Sequence, residues 1–475
     1  MRSLLEYKEL FFAVKGRIKS VLGDFWWYTF LVFVVQRFGD AINAFVGLWL
    51  VPKYVRQDEL GALLPLMQVG SVLACPLQIL VTVFLKYVNV FSTRGELGKL
   101  KALLRDTFCM LTLLFVGVML YAQFFMPLVF ERMRVANGRL GMLVVATGIL
   151  SVVATFFSGS LQALKQFQSM SFIMLVAAPL RLVTLLICLP IRALSGYFVG
   201  QIVPVLYSIG TSLFCLRTVV FRKGVQSVSY LHTDGADILR YAIPVGIATF
   251  STVTLGLVDP FVIRHRLPDL DSAAYYAISR FAELGTYVAL SACAILFPLA
   301  SELHEKGGRS QRLVIQSVVG TLASGGLLAG FLFLFGDHLL RLVPNGDAYT
   351  TYTGQMALLT VICSMYGAAN CFSAHEFACN RYAFNYWAVP LLAVKGLFLY
   401  VIMGFSFFRP WVPESWIQWV DSIRPARLDF VLGVMFVYAV SWLFFMSIHL
   451  LVQRKGRMSS SDLRRRESAG RGSVT

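Results

Sequence analysis

The stretch KYVRQDELGALLPLMQVG at residues 53–70 has a counterpart in VIRHRLPDLDSAAYYAIS at 262–279, and this pair decides the fold. Each opens as a charged connection and passes into an apolar run carrying small and polar residues. Further along, FSTRGELGKLK (91–101) matches ASELHEKGGRS (300–310), and the apolar segment from Phe25 matches the one from about Asp237. A shift of about 212 residues lays the first half of the chain on the second. Residue identity is low, so order, spacing and hydropathy carry the repeat. Six apolar segments fall in each copy, which gives the copies one orientation and relates them by an axis along the membrane normal. In transporters built this way the substrate site lies between the halves near the midplane.

The membrane assignment follows from composition. Only 14% of the 475 residues are charged and the mean hydropathy is +0.70, against about 25% charged residues in soluble domains. Continuous rather than alternating apolar runs select helices over a barrel. The sequence predicts an all-α polytopic protein with twelve spans, at about 25–51, 62–90, 107–130, 140–163, 169–190, 195–216, 241–263, 273–299, 314–336, 354–378, 383–407 and 429–452. They divide into an N-lobe (25–216) and a C-lobe (241–452), joined by a cytoplasmic linker (217–240). An amphipathic basic segment (1–24) precedes them and a disordered basic strip (453–475), near anionic headgroups, follows. An even span count puts both termini on one side. That side carries roughly twice the Lys and Arg of the other, so both termini are expected in the cytoplasm, with the chain in the cytoplasmic membrane. Trp411, Trp416 and Trp419 mark the longest outer connection as an interfacial aromatic belt.

Several function classes drop out. The net charge of +17 flanks the spans and crowds the termini, which argues against nucleic acid as a partner. The eight cysteines lie in or at the ends of spans, with no CxxC, and read as small apolar residues rather than metal ligands or a disulfide framework. The six histidines show no zinc-ligand spacing, and the adjacent His375 and Glu376 read as structural. There is no GxxxxGK[ST], HExxH or GxSxG, so no nucleotide, metal or other cofactor and no catalytic residue is expected.

Five basic residues lie inside spans: Arg37, Lys86, Arg181, Arg280 and Lys395. A charge at bilayer depth costs at least about 2.5 kcal/mol, so each needs a partner or a wet cavity. Fewer acids share that depth, namely Asp40, Glu283 and, nearer an edge, Asp259. The interior is therefore expected to be net positive, which suits an anionic cargo, with these acids orienting nearby Arg side chains or exchanging a proton or sodium ion. Gln36, Asp40 and Asn43 form one face of span 1, and Arg37 reaches Asp40 at i,i+3. Gln68, Ser71, Cys75, Gln78, Thr82 and Lys86 form a stripe on span 2, and Tyr276, Arg280, Glu283 and Tyr287 one on span 8. Such stripes either glue helices together or line a cavity. Lys86 has snorkelling to the headgroups as a second reading. Arg181 and Lys395 sit near the middle of their spans with no acid one turn away, and are expected to face a hydrated space. On that reading Arg181→Ala and Lys395→Ala fold but do not transport. Prolines within or at the ends of spans, among them Pro65, Pro76, Pro179, Pro204, Pro244, Pro260 and Pro390, kink the bundle.

LVPKYVRQDELGALLPLMQVGSVLACPLQILVTVFLKYVNVFSTRGELGKL (50–100) resembles the first two spans of polysaccharide (oligosaccharide-lipid) flippases of the multidrug/oligosaccharidyl-lipid/polysaccharide exporter (MOP) superfamily. ILRYAIPVGIATFSTVTLGLVDPFVIRHRL resembles the start of that family's second half, and AILFPLASELHEKG the end of its span 8. The resemblance implies two six-helix lobes that open alternately to either side. It implies as cargo a polyprenyl-diphosphate-linked oligosaccharide, flipped from the cytoplasmic to the outer leaflet, with lipids and polysaccharide-assembly proteins as partners. Two other readings stand beside it: a multidrug or small-molecule exporter of the same superfamily, and a membrane polysaccharide polymerase or ligase.

Overall fold

A computed structural model describes residues 34–132, 139–164, 166–220, 228–305, 310–379, 381–382, 384–402, 414–415 and 428–471. Every element among them is helical, as lipid requires when it offers no partner to a free backbone N–H or C=O. Helix occupies the described part of each of the twelve expected spans. Among the described residues seven helices are long and apolar enough on their own to cross a membrane, and the bent pair Gln57–Leu73 and Cys75–Val88 makes an eighth. Their outward faces are apolar where lipid would lie: Leu113, Phe124, Leu327 and Leu334 are all exposed.

One helical stretch, Phe167–Val220, is two spans. It breaks at Arg192 (φ −136°, ψ 15°) and Ala193 (φ 43°, ψ −120°). Beyond the break the chain returns on itself. A Cβ added to Gly196 would lie 2.1 Å from the Cys188 carbonyl oxygen, and one added to Gly200 would meet Leu185. Thr184 Oγ1 donates to the Gly200 carbonyl at 2.8 Å. Small residues thus let the backbones of spans 5 and 6 touch, and the turn falls where the sequence placed it, between 190 and 195.

The repeat is visible in the helices themselves. Span 2 breaks at Ala74, between Gln57–Leu73 and Cys75–Arg94, with a bend of 57°. Span 8 is interrupted at Glu283, between Asp269–Ala282 and Leu284–Glu305. Ala74 and Glu283 stand in the same 209-residue relation as Lys53 and Val262 in the matched sequences.

By internal packing the chain divides into Met1–Leu257 and Val258–Thr475. The boundary lies within the helix Leu231–Arg266 of span 7 rather than in the expected linker 217–240. The first part of that helix packs on span 2: Lys86 Nζ sits 3.5 Å from the centre of the Tyr241 ring, and Cβ atoms on Gly246 and Gly256 would touch Ile79 and Gln68. Of the helices able to cross on their own, span 4, Arg139–Ala163, is the most enclosed in the first unit, and span 10, Thr353–Ala378, in the second. Span 10 is sheathed by small-residue contacts, since Cβ atoms on Gly285, Gly325 and Gly367 would all collide with neighbouring side chains.

The last helix runs from Leu428 to Arg471, through most of the tail expected to be disordered. That tail has no proline, and its Arg, Leu, Met and Glu residues are good helix formers, so the helix of span 12 simply continues. Residues 1–24 and the three tryptophans of the outer connection lie outside the described residues.

Candidate functional site

The first unit contains a cavity of about 590 Å³ between spans 2, 4, 5 and 6. Span 2 contributes Gln68, Ser71, Gln78 and Thr82, four members of the stripe read from the sequence. The break at Ala74 lies between them, so the stripe is carried on two helical pieces. Span 4 contributes Thr147, Ser151 and Thr155, spaced one turn apart on one face. Each of these three donates its hydroxyl to the carbonyl four residues earlier, at 2.7, 2.8 and 2.9 Å, which leaves the oxygen's lone pairs toward the cavity. Arg181 of span 5 and Tyr197 and Gln201 of span 6 complete the polar wall.

Arg181 is the one charged group in the described lining, and that lining contains no carboxylate. Its guanidinium donates to Asn43 Oδ1 of span 1 and lies 3.5 Å from the Tyr197 hydroxyl. Its Nε is buried without an acceptor among the described residues, and so is Gln201 Nε2. A buried donor left unpaired costs about 1–3 kcal/mol. The cavity therefore holds a cation and N–H groups without an acceptor among the described residues, which suits an acceptor-rich guest.

The other expected residues of this unit lie around the cavity rather than in its lining. Arg37 and Asp40 pair at 3.1 Å, as the i,i+3 spacing predicts, and both are partly exposed. Gln36 is half-buried on the same helix, and Asn43, one turn on from Asp40, buttresses Arg181. Lys86 is held on the Tyr241 ring. Sequence reasoning missed the span 4 hydroxyl ladder, although its 147–151–155 spacing is legible, and it missed Tyr197 and Gln201.

In the second unit Lys395 is 3% exposed rather than facing water. Its ammonium donates to Asp259 Oδ2 at 2.6 Å and lies 3.4 Å from the Tyr366 hydroxyl and 5.0 Å from the centre of the Tyr438 ring. The expected open cation is thus half of a buried ion pair, because span 7 brings Asp259 to it from 136 residues away. Asp259 is 4% exposed, and its Oδ1 has no partner among the described residues. Arg280 pairs with Glu283 at 2.9 Å and stands 5.0 Å from the Tyr276 ring, whose side chain is buried; Tyr287 is half-buried.

The sequence matches no protein-family model and no curated protein. Solved structures do match. The inward-facing structure of a multidrug-resistance MATE-family transporter of the MOP superfamily superposes with a TM-score of 0.62, at 13% identity over 90% of this chain and 99% of that one. The lipid II flippase MurJ, in an inward closed conformation, gives 0.57 at 14% identity over 89% and 91%. A MOP-superfamily transporter from Pyrococcus furiosus, with a binding pocket described as of reverse polarity, gives 0.58 at 13% identity over 90% and 94%. These likenesses establish a shared fold.

Proposed function

We propose that this chain, a multi-pass membrane protein with the fold of the MOP-superfamily transporters, flips a polyprenyl-diphosphate-linked oligosaccharide across the cytoplasmic membrane by alternating access. One observation carries the proposal: a saccharide-sized cavity, apolar over part of its wall (Met67, Val81, Leu85, Val144, Val152, Phe198), with a single guanidinium, two N–H donors unsatisfied among the described residues and no carboxylate in its described lining. Phosphate oxygens accept charge-assisted hydrogen bonds from Arg181 and satisfy its idle Nε. Sugar hydroxyls exchange hydrogen bonds with Gln68, Gln78, Gln201 and the Thr147–Ser151–Thr155 ladder, and the prenyl tail stays in lipid. A pocket of this volume lies in the usual range for small-molecule guests. An exporter of organic cations would need the opposite polarity, with carboxylates in the wall.

The test is reconstitution into liposomes with a fluorescent polyprenyl-diphosphate glycan, scoring leaflet exchange with and without ion gradients. The wild-type chain exchanges the glycan, and Arg181→Gln, which keeps the polarity of the wall but removes its charge, slows exchange at least tenfold. Equal rates in the two proteins would overturn the assignment. Efflux of an organic cation with no glycan exchange would move the protein to the exporter reading.

A further inference from the structure

At the end of span 10, apart from the cavity of the first unit, a set of polar side chains gathers in the second unit. Glu376 is fully buried and is bracketed by two imidazoles: His375 Nδ1 lies 3.1 Å from its Oε1, and His449 Nε2 of span 12 lies 3.3 Å from its Oε2. The other nitrogen of His375, Nε2, is 2.8 Å from Ser310 Oγ, at the start of span 9, and 3.6 Å from Cys379 Sγ. His375 and Ser310 are 1% and 4% exposed. Ser310, His375 and Glu376 fall in the order of a hydrolase relay. The hydroxyl is too enclosed for a substrate to reach it, so nucleophilic chemistry is the wrong reading.

We propose that this cluster is a proton-binding site, in which one exchangeable proton is shared between the Glu376 carboxylate and the two imidazoles that flank it. Imidazole is the side chain whose charge changes near neutral pH, and here an added proton finds a carboxylate oxygen beside it on either ring. The far side of His375 suits both states. A hydroxyl can donate to Nε2 when the ring is neutral and accept from it when the ring is charged, and Cys379 gives the Ser310 hydroxyl a second neighbour at 3.8 Å. Other described groups lie at this end. The Arg381 backbone N–H donates to the Glu376 carbonyl at 2.8 Å. Tyr382 packs at a tilt against Phe377, and one turn earlier on span 10 the Cys371 thiol lies 3.2 Å from that of Cys293 on span 8. Because the cluster draws on spans 9, 10 and 12, its proton is bound by the packing of three helices rather than by one side chain.

The proposal stands apart from the saccharide assignment and is tested without transport. In the full-length protein in lipid nanodiscs, with ¹⁵N-labelled imidazoles, the His375 and His449 signals should change protonation together rather than in two separate steps. Glu376→Gln should separate the two curves. Because that variant alters a fully buried carboxylate on which folding depends, His449→Gln is the second arm: it should displace the His375 titration from its wild-type midpoint. Independent titration of the two rings in the wild type, no change of charge on either ring over the range in which the protein stays folded, or an unmoved His375 curve in His449→Gln would each overturn the proposal.

Discussion

Replacing Lys395 by Met leaves the Asp259 carboxylate at 4% exposure with neither oxygen paired to a cation, since Oδ1 already lacks a partner among the described residues. The residual contacts are phenolic rings, which cannot replace an ammonium 2.6 Å away. Removing one member of a buried ion pair costs about 3–5 kcal/mol, a large share of the roughly 5–15 kcal/mol that holds a folded domain. Lys395→Met should therefore denature well below the wild type in a detergent thermal-stability assay. The paired variant Lys395→Met with Asp259→Asn removes both charges and should recover most of the loss, with a coupling energy above about 2 kcal/mol in the double-mutant cycle. This reverses the expectation from sequence, in which the Lys395 variant folds normally and fails only in transport. A Lys395→Met protein as stable as the wild type, or a double variant no better than the single one, would refute the buried-pair reasoning.

Other outcomes follow from the same geometry. Ala193 adopts φ 43°, ψ −120°, a conformation that suits glycine, so Ala193→Gly should raise thermal stability by about 1 kcal/mol; a loss would mean that the turn is not strained. A Cβ on Gly325 would lie 1.9 Å from Ser364 Oγ, so Gly325→Ala should cost about 1–3 kcal/mol, and adding Ser364→Gly should restore the melting temperature. The Arg280–Glu283 pair is i,i+3 and its carboxylate is about a third exposed, so Glu283→Gln should change stability by no more than about 1 kcal/mol, a small shift in the same assay.

The spans, the repeat and the hairpin between spans 5 and 6 were legible because hydropathy and turn placement are local properties of the chain. The span 2 stripe was legible in part, since Gln68 with Ser71 and Gln78 with Thr82 are each one turn apart, while the break at Ala74 that joins the two halves at the cavity was not. What escaped depends on tertiary pairing. Nothing near Lys395 in sequence points to Asp259, and nothing near Glu376 points to His449, 73 residues away. The Thr147–Ser151–Thr155 ladder was hidden in a different way: hydroxyls that hydrogen-bond their own helix are common in membrane spans, and only the cavity beside them gives them a role. The unit boundary escaped because it falls inside a continuous helix, where Gly256 and Pro260 interrupt neither the hydropathy nor the helix.

The central claim is that the cavity beside Arg181 recognises the anionic part of a lipid-linked saccharide. The most direct measurement is equilibrium binding of one glycan carried on a polyprenyl diphosphate and the same glycan carried on an uncharged polyprenyl ether. A charge-assisted hydrogen bond is worth about 1.5–3 kcal/mol, so the diphosphate form should bind roughly ten- to a hundredfold tighter, and Arg181→Gln should erase the difference. Equal affinity for the two lipids in the wild-type protein, or a preference that survives Arg181→Gln, would contradict it.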